Sequence, residues 1–267
     1  MSIPPILQNK HPEAPSVFEP AALLREARRQ KALDKAHVPP LCVLDPDGDI
    51  VRNLKRSGVA KRVDHWPCYH TDLYSFPLGS ETVGIIGCAV GAPFAVLVAE
   101  ELFACGCRML ISLTSAGQIV ASGTPPYFVV IDKALRDEGT SYHYAAPAAF
   151  AQADPELIGL AMQSLKEAGI AAHVGASWTT DAPFRETADA IESARLKGVL
   201  TVEMEAAALY AFARSRNRDV LCLAYVTNTM GLADQDFEKG EAQGAADALL
   251  LLKVLARALS GALASPA

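Results

Sequence analysis

Two glutamates flank a methionine at Glu203-Met204-Glu205, and the apolar run Ala206-Ala207-Ala208-Leu209 follows directly. This spacing places a pair of carboxylates at the mouth of an otherwise apolar helix, where the positive end of the helix dipole tolerates negative charge. Residues two apart on a helix point in different directions, so the two acids should have different jobs. The plainer alternative is that both only cap the helix.

Other residue patterns exclude chemistry rather than suggest it. Gly87 and Gly91 are separated by three residues with no Gly-Lys after them, so neither the dinucleotide fingerprint nor the P-loop is present. Asp45, Asp47 and Asp49 alternate like the start of a calcium loop, but the positions that would need Gly and Glu hold Ile50 and Arg56. His65 and His70 form no zinc pattern, and no metal site is expected. No Gly-x-Ser-x-Gly elbow exists, which removes the usual serine hydrolase triad.

The elements that must position Glu203 and Glu205 follow from hydrophobic runs and their breakers. Residues 1–20 read as an irregular, Pro-rich arm, and 20–36 as a helix opened by proline. Leu41 to Leu44 reads as a strand ending in a turn over 45–49, Thr82 to Gly87 as a buried strand, Pro93 to Cys105 as a helix, and Arg108 to Leu113 as a second strand ending in a turn over 114–118. Strand, crossover helix and strand make a βαβ unit. Further strands are expected at 127–132, 170–178 and 220–227, with helices at 155–168, 204–214 and 242–259. The whole predicts a three-layer α/β/α sandwich around a mostly parallel central sheet. Ligands in such sheets sit at the carboxyl ends of strands, here 45–49, 87–93, 114–118, 178–186 and 227–231.

Composition limits the partners. The 267 residues are 51% hydrophobic and 20% charged, which suits one ordered domain over 1–267, with 1–36 its arm and first helix. A net charge of −6 without a long basic stripe argues against nucleic acid. No segment reads as a signal peptide or a membrane span, and six cysteines without a CxxC pair read as reduced core thiols in a cytoplasm.

The segment Glu203-Met204-Glu205-Ala206-Ala207-Ala208-Leu209 resembles the Glu-Met-Glu-(Ala or Ser)-Ala segment of the uridine and purine nucleoside phosphorylases. Three more stretches fit in the same order: the Gly-rich loop Gly87 to Pro93, the turn Thr114-Ser115-Ala116-Gly117-Gln118-Ile119, and Asp137-Glu138-Gly139-Thr140-Ser141-Tyr142-His143-Tyr144. The resemblance spans residues 40–258 and implies a pentosyltransferase that cleaves the N-glycosidic bond of a nucleoside with phosphate, needing no cofactor. It implies that Glu205 accepts hydrogen bonds from the ribose hydroxyls, with Met204 against the sugar and Ser115 or Thr114 supplying a hydroxyl near sugar and nucleophile. Ala116 and Gly117 would let the base approach the backbone. Phe184 would stack on the base or belong to the core, Arg185 or Glu186 would meet the base edge or lie on the surface, and Glu203 and Asn228 complete the base side. Relatives are homo-oligomers, so a dimer, trimer of dimers or hexamer is expected, with the arm at 11–18 or the segment at 65–69 completing a neighbour's pocket.

The nucleophile region (Asp45, Gly91, Ser112, Ser115) departs from that pattern. Relatives cradle phosphate with arginines at positions that here fall in the loop 44–49, at Ser112 and near Trp66, and none of these is arginine. Carboxylates repel a phosphate dianion, so three aspartates cannot replace them, although Arg52, Lys55 or Arg56 could reach in from the next helix. Phosphorolysis is placed first, hydrolysis by water second, and a nucleoside-binding protein without catalysis third.

Overall fold

The computed structural model describes residues 3–230, 237 and 239–264, with side chains described through residue 260; Gly231, at the end of one expected ligand loop, lies outside them. The strands are β1 (Leu41–Asp45), β2 (Lys61–Arg62), β3 (Tyr74–Leu78), β4 (Glu81–Gly87), β5 (Met109–Gln118), β6 (Tyr127–Asp137), β7 (Phe150–Gln152), β8 (Ala172–Thr180), β9 (Val199–Glu203) and β10 (Asp219–Asn228). The helices are α1 (Pro20–Lys31), α2 (Asp49–Arg56), α3 (Ala92–Ala104), α4 (Ser141–Tyr144), α5 (Pro155–Glu167), α6 (Ala188–Leu196), α7 (Ala206–Arg216) and α8 (Ala245–Ala264).

All these strands join one sheet, and its connectivity corrects the expectation of a mostly parallel sandwich. Among the described residues, five strand pairings are parallel and five antiparallel. Moreover β5, β10, β6, β8 and β9 pair in a ring, so that part of the sheet closes into a barrel, while β1, β4, β3 and β2 extend from it. The reason is the length of β5. Its apolar start pairs with β1 (Leu41↔Met109 to Leu44↔Ser112), and its end pairs with β9 (Gly117↔Val202 and Gln118↔Thr201). The stretch 114–118, which reads as a turn, continues as strand because β10 runs beside it as far as Asn228. Closure removes exposed strand edges.

Helices cover both faces. Leu24 of α1, Val96, Val98 and Leu102 of α3, and Leu209 and Phe212 of α7 share one core. Leu54 of α2, Leu165 of α5 and Leu251, Leu252, Leu255 and Leu259 of α8 share the other. Each fully buried leucine contributes about 1.5–3 kcal/mol relative to exposure. Helix α1 stops at Lys31, short of the expected 36, because Ala32 turns left-handed at φ 53°. Helix α2 is the expected helix carrying Arg52, Lys55 and Arg56; Gly48, at φ 76°, turns the chain into it. The cysteines are all free; five are buried as expected, but Cys88 is exposed. No described helix is long and apolar enough to cross a membrane.

Tyr210 of α7 fastens the barrel wall. Its hydroxyl donates to the Ile131 carbonyl of β6 at 2.5 Å and accepts from the Cys222 amide of β10 at 3.0 Å. Tyr210→Phe should lower the unfolding free energy by about 1–3 kcal/mol, because it leaves a buried amide and carbonyl unpaired, as read by urea denaturation.

Candidate active site

The Glu203–Glu205 pair lies where β9 passes into α7. The Glu203 carboxylate accepts from Ser177 Oγ at 3.1 Å, Thr179 Oγ1 at 2.6 Å, Glu205 N at 2.7 Å and Ala206 N at 2.7 Å. Thr179 Oγ1 also accepts from Ala207 N at 2.9 Å. Helix starts leave backbone N–H groups without partners, and here Glu203 and Thr179 take the first of them. Glu203 therefore caps the helix start with Oε2, while its Oε1 holds the two hydroxyls. Burial raises its pKa while these donors oppose the shift.

Glu205 stands free of that duty. It is 1% exposed, and its Oε1 accepts from Gly91 N, at the start of α3, at 2.7 Å. Its Oε2 is buried without any hydrogen-bond partner. Burial first, and the neighbouring Glu203 charge second, push its pKa up to about 8, against the Gly91 amide and the nearby Thr114 hydroxyl. A buried acceptor oxygen with no donor is costly.

Thr114 and Ser115 are exposed to the site by a fork in the sheet. On one side β5 pairs with β10 throughout, but on the other β1 ends its pairing at Ser112 and β9 begins at Gly117. In that gap the Ser115 amide and hydroxyl donate to Asp47, at 2.7 Å to Oδ2 and 2.8 Å to Oδ1. Asp45, Asp47, Asp49, Thr114, Ser115, Tyr225 and Lys239 line the resulting narrow cleft, whose volume is about 20 Å³. Asp45 accepts from Gly48 N and Val51 N, and burial pushes its pKa up to about 7. Lys239 Nζ bonds Asp49 at 2.7 Å and lies 3.8 Å from Asp47, while Arg52 bonds Asp49 at 2.6 Å.

The structure thus brings together Glu205 with Gly91, and Asp45 with Thr114 and Ser115. Met204 is half-buried between its buried neighbours. Ser112 is not at the cleft; it sits inside the sheet between Leu44 and Cys222 with its hydroxyl unpartnered. Trp66 is core, and Lys55 lies over the Tyr74 ring, 4.7 Å from its centroid. On the base side, Ala116 is buried and Gly117 allows close approach, but to Met230, whose sulfur occupies the space a Cβ would need. Asn228 is committed locally, with Nδ2 donating to Ala116 O at 3.4 Å and Oδ1 accepting from Met230 N at 3.0 Å. Phe184 does not enter the core: it is 99% exposed on the turn Pro183–Arg185, and Arg185 is exposed beside it. Glu186 is half-buried, and burial pushes its pKa up to about 7.

Sequence reading missed three contributors and the role of a fourth. Ser177 and Thr179 carry no signal except proximity to the expected loop, Lys239 is 190 residues from Asp49, and Asp47 drew notice as one of three loop aspartates but not as the partner of Ser115. Among the described residues, no group of three or more His, Cys, Asp or Glu is placed to hold a metal.

A part-closed α/β sheet with a buried, singly bonded glutamate beside a Thr-Ser fork defines the class, and residues 40–259 match the phosphorylase superfamily: the chain belongs to that family. Among its relatives, a DeoD-type purine nucleoside phosphorylase of Roseobacter denitrificans is 29% identical over 153 residues, 55% of this chain and 63% of that one. A uridine phosphorylase of Thermococcus kodakarensis is 27% identical over 195 residues, covering 65% of this chain and 67% of the relative. The aligned region spans 55% of a guanosine phosphorylase of Halorubrum lacusprofundi, so for it and for the Roseobacter enzyme less than two thirds of the relative's length is covered. The crystal structure of uridine phosphorylase from Vibrio fischeri shares the fold at TM-score 0.72 and 21% identity, covering 86% of this chain and 96% of that one.

Glu203→Gln should lower the unfolding free energy by about 1–3 kcal/mol, since an amide NH₂ would face donors where a carboxylate accepts. Thr179→Ala should lower it by about 0.5–2 kcal/mol through the freed Ala207 amide. Paired urea melts at neutral pH test both.

Proposed function

We propose that the chain cleaves the N-glycosidic bond of a nucleoside of uridine or purine type, releasing the free base. The observation that carries this reading is the partnerless, buried Oε2 of Glu205 beside an Oε1 anchored by Gly91. Such a carboxylate fits the neighbouring hydroxyls of a ribose. As the bond to the base lengthens, the ribose ring turns cationic, and a fixed, buried negative charge stabilises that state more than the ground state. Met204 would lie against the sugar, and Thr114 and Ser115 would face the acceptor.

Phosphate is the acceptor suggested by the names of the relatives, giving ribose 1-phosphate. Hydrolysis is a second reading, and one observation favours it: the Asp47 carboxylate already holds the amide and hydroxyl of Ser115. We also propose a cytoplasmic setting and a homo-oligomer, a dimer or an assembly of dimers; Phe18 and Phe184, 71% and 99% exposed, are apolar side chains available to a second copy.

Uridine, inosine, guanosine and adenosine incubated with the protein, with and without phosphate, should yield free base from at least one, as read by chromatography. Glu205→Gln should lower kcat by about 10²–10³-fold. Binding of nucleosides with no base released under either condition would overturn the proposal. Because the ionised form of Glu205 is the stabilising one, kcat/KM should rise with pH through an apparent pKa near the value of about 8 held by the free protein. A flat profile between pH 6 and 9 counts against Glu205 in this role.

A further inference from the structure

We infer that Asp47 is a tethered anion occupying the acceptor cradle of this site, so that inorganic phosphate binds only by displacing it. The inference rests on the reading of Ser115 as the residue that faces the acceptor. Ser115 offers a backbone N–H and a hydroxyl on the open side of the sheet fork, and Asp47 takes both, one with each carboxylate oxygen, at 2.7 and 2.8 Å. Two donors converging on two oxygens of one anion are the arrangement that a phosphate would use.

The fork explains why these donors exist. Between Ser112 and Gly117 no neighbouring strand claims the β5 edge, so the Ser115 amide would be an unpaired donor without Asp47. Charge explains why phosphate does not simply join in. Asp45, Asp47 and Asp49 line the cleft with Lys239 as its cation, and both Lys239 and the adjacent Arg52 are already paired with Asp49. A dianion entering with Asp47 in place would meet carboxylates at contact distance, where repulsion is strongest. Displacement is open to Asp47 because its side chain is 30% exposed, and the Lys239 ammonium, 3.8 Å from Oδ1, gives the displaced carboxylate a partner.

Phosphate binding to the full chain, measured by calorimetry with phosphate alone, tests this. Asp47→Asn and Asp47→Ala should each bind phosphate at least about ten-fold more tightly than the native chain. Adding Ser115→Ala to Asp47→Ala should abolish that gain. Unchanged affinity in Asp47→Asn, which retains size and one acceptor and so guards against a misfolded alanine variant, overturns the inference. So does a native chain that already binds phosphate as tightly as the variants. No nucleoside is present, so this outcome is independent of whether base release is found: failed tightening leaves glycosidic cleavage standing, and absent base release leaves the tightening result standing.

Discussion

Two carboxylates buried two residues apart at the start of a helix repel each other and lose hydration together, and the site is built around how the chain resolves that conflict. Glu203 takes the helix amides and two hydroxyls, four donors in all, so its charge is held by local hydrogen bonds. Glu205 is left with one donor and an empty oxygen, and burial, with the Glu203 charge beside it, raises its pKa to about 8. The first residue stabilises the fold so that the second can remain unsatisfied. Strain of this kind is tolerated where surrounding structure over-determines it.

The surroundings do so from several directions. Ser177 and Thr179 arrive on β8, Gly91 opens α3, and the small side chains Ala206, Ala207 and Ala208 let α7 lie close against the sheet. Tyr210, one turn further along α7, ties the same helix to β6 and β10. Closure of the sheet into a ring is what brings β8 and β9 around to meet the end of β5, so barrel closure and site assembly are the same event.

The second feature of the site follows from that closure. A strand as long as β5 outlasts β1 before it meets β9, and the interval exposes the backbone amide of Ser115. Buried amides demand acceptors. In this chain the acceptor is Asp47, carried on the turn after β1, which sets it apart from a cleft walled by cations. Family membership alone does not convey that difference, because it lies in the charge of one loop.

Much of this was legible in the amino-acid order. The apolar runs located β1, β4, α3 and the first half of β5, the proline and glycine breakers located the helix starts, and the Glu203-Met204-Glu205 spacing marked the site and suggested separate duties for its two acids. Periodicity reports on local geometry, and these features are local. Which acid caps and which waits for a ligand depended on Ser177 and Thr179, more than twenty residues away, and the continuation of β5 through 114–118 depended on β10 beside it. Phe184 and Asn228 drew notice by position alone; that the first lies in solvent and the second accepts from Met230 N was set by the fold. Asp47 meets Ser115 across 68 residues and Lys239 meets Asp49 across 190. Sequence thus determined the elements and the chemical inventory, whereas tertiary structure decided which polar groups are satisfied, because hydrogen-bond satisfaction is set by neighbours in space.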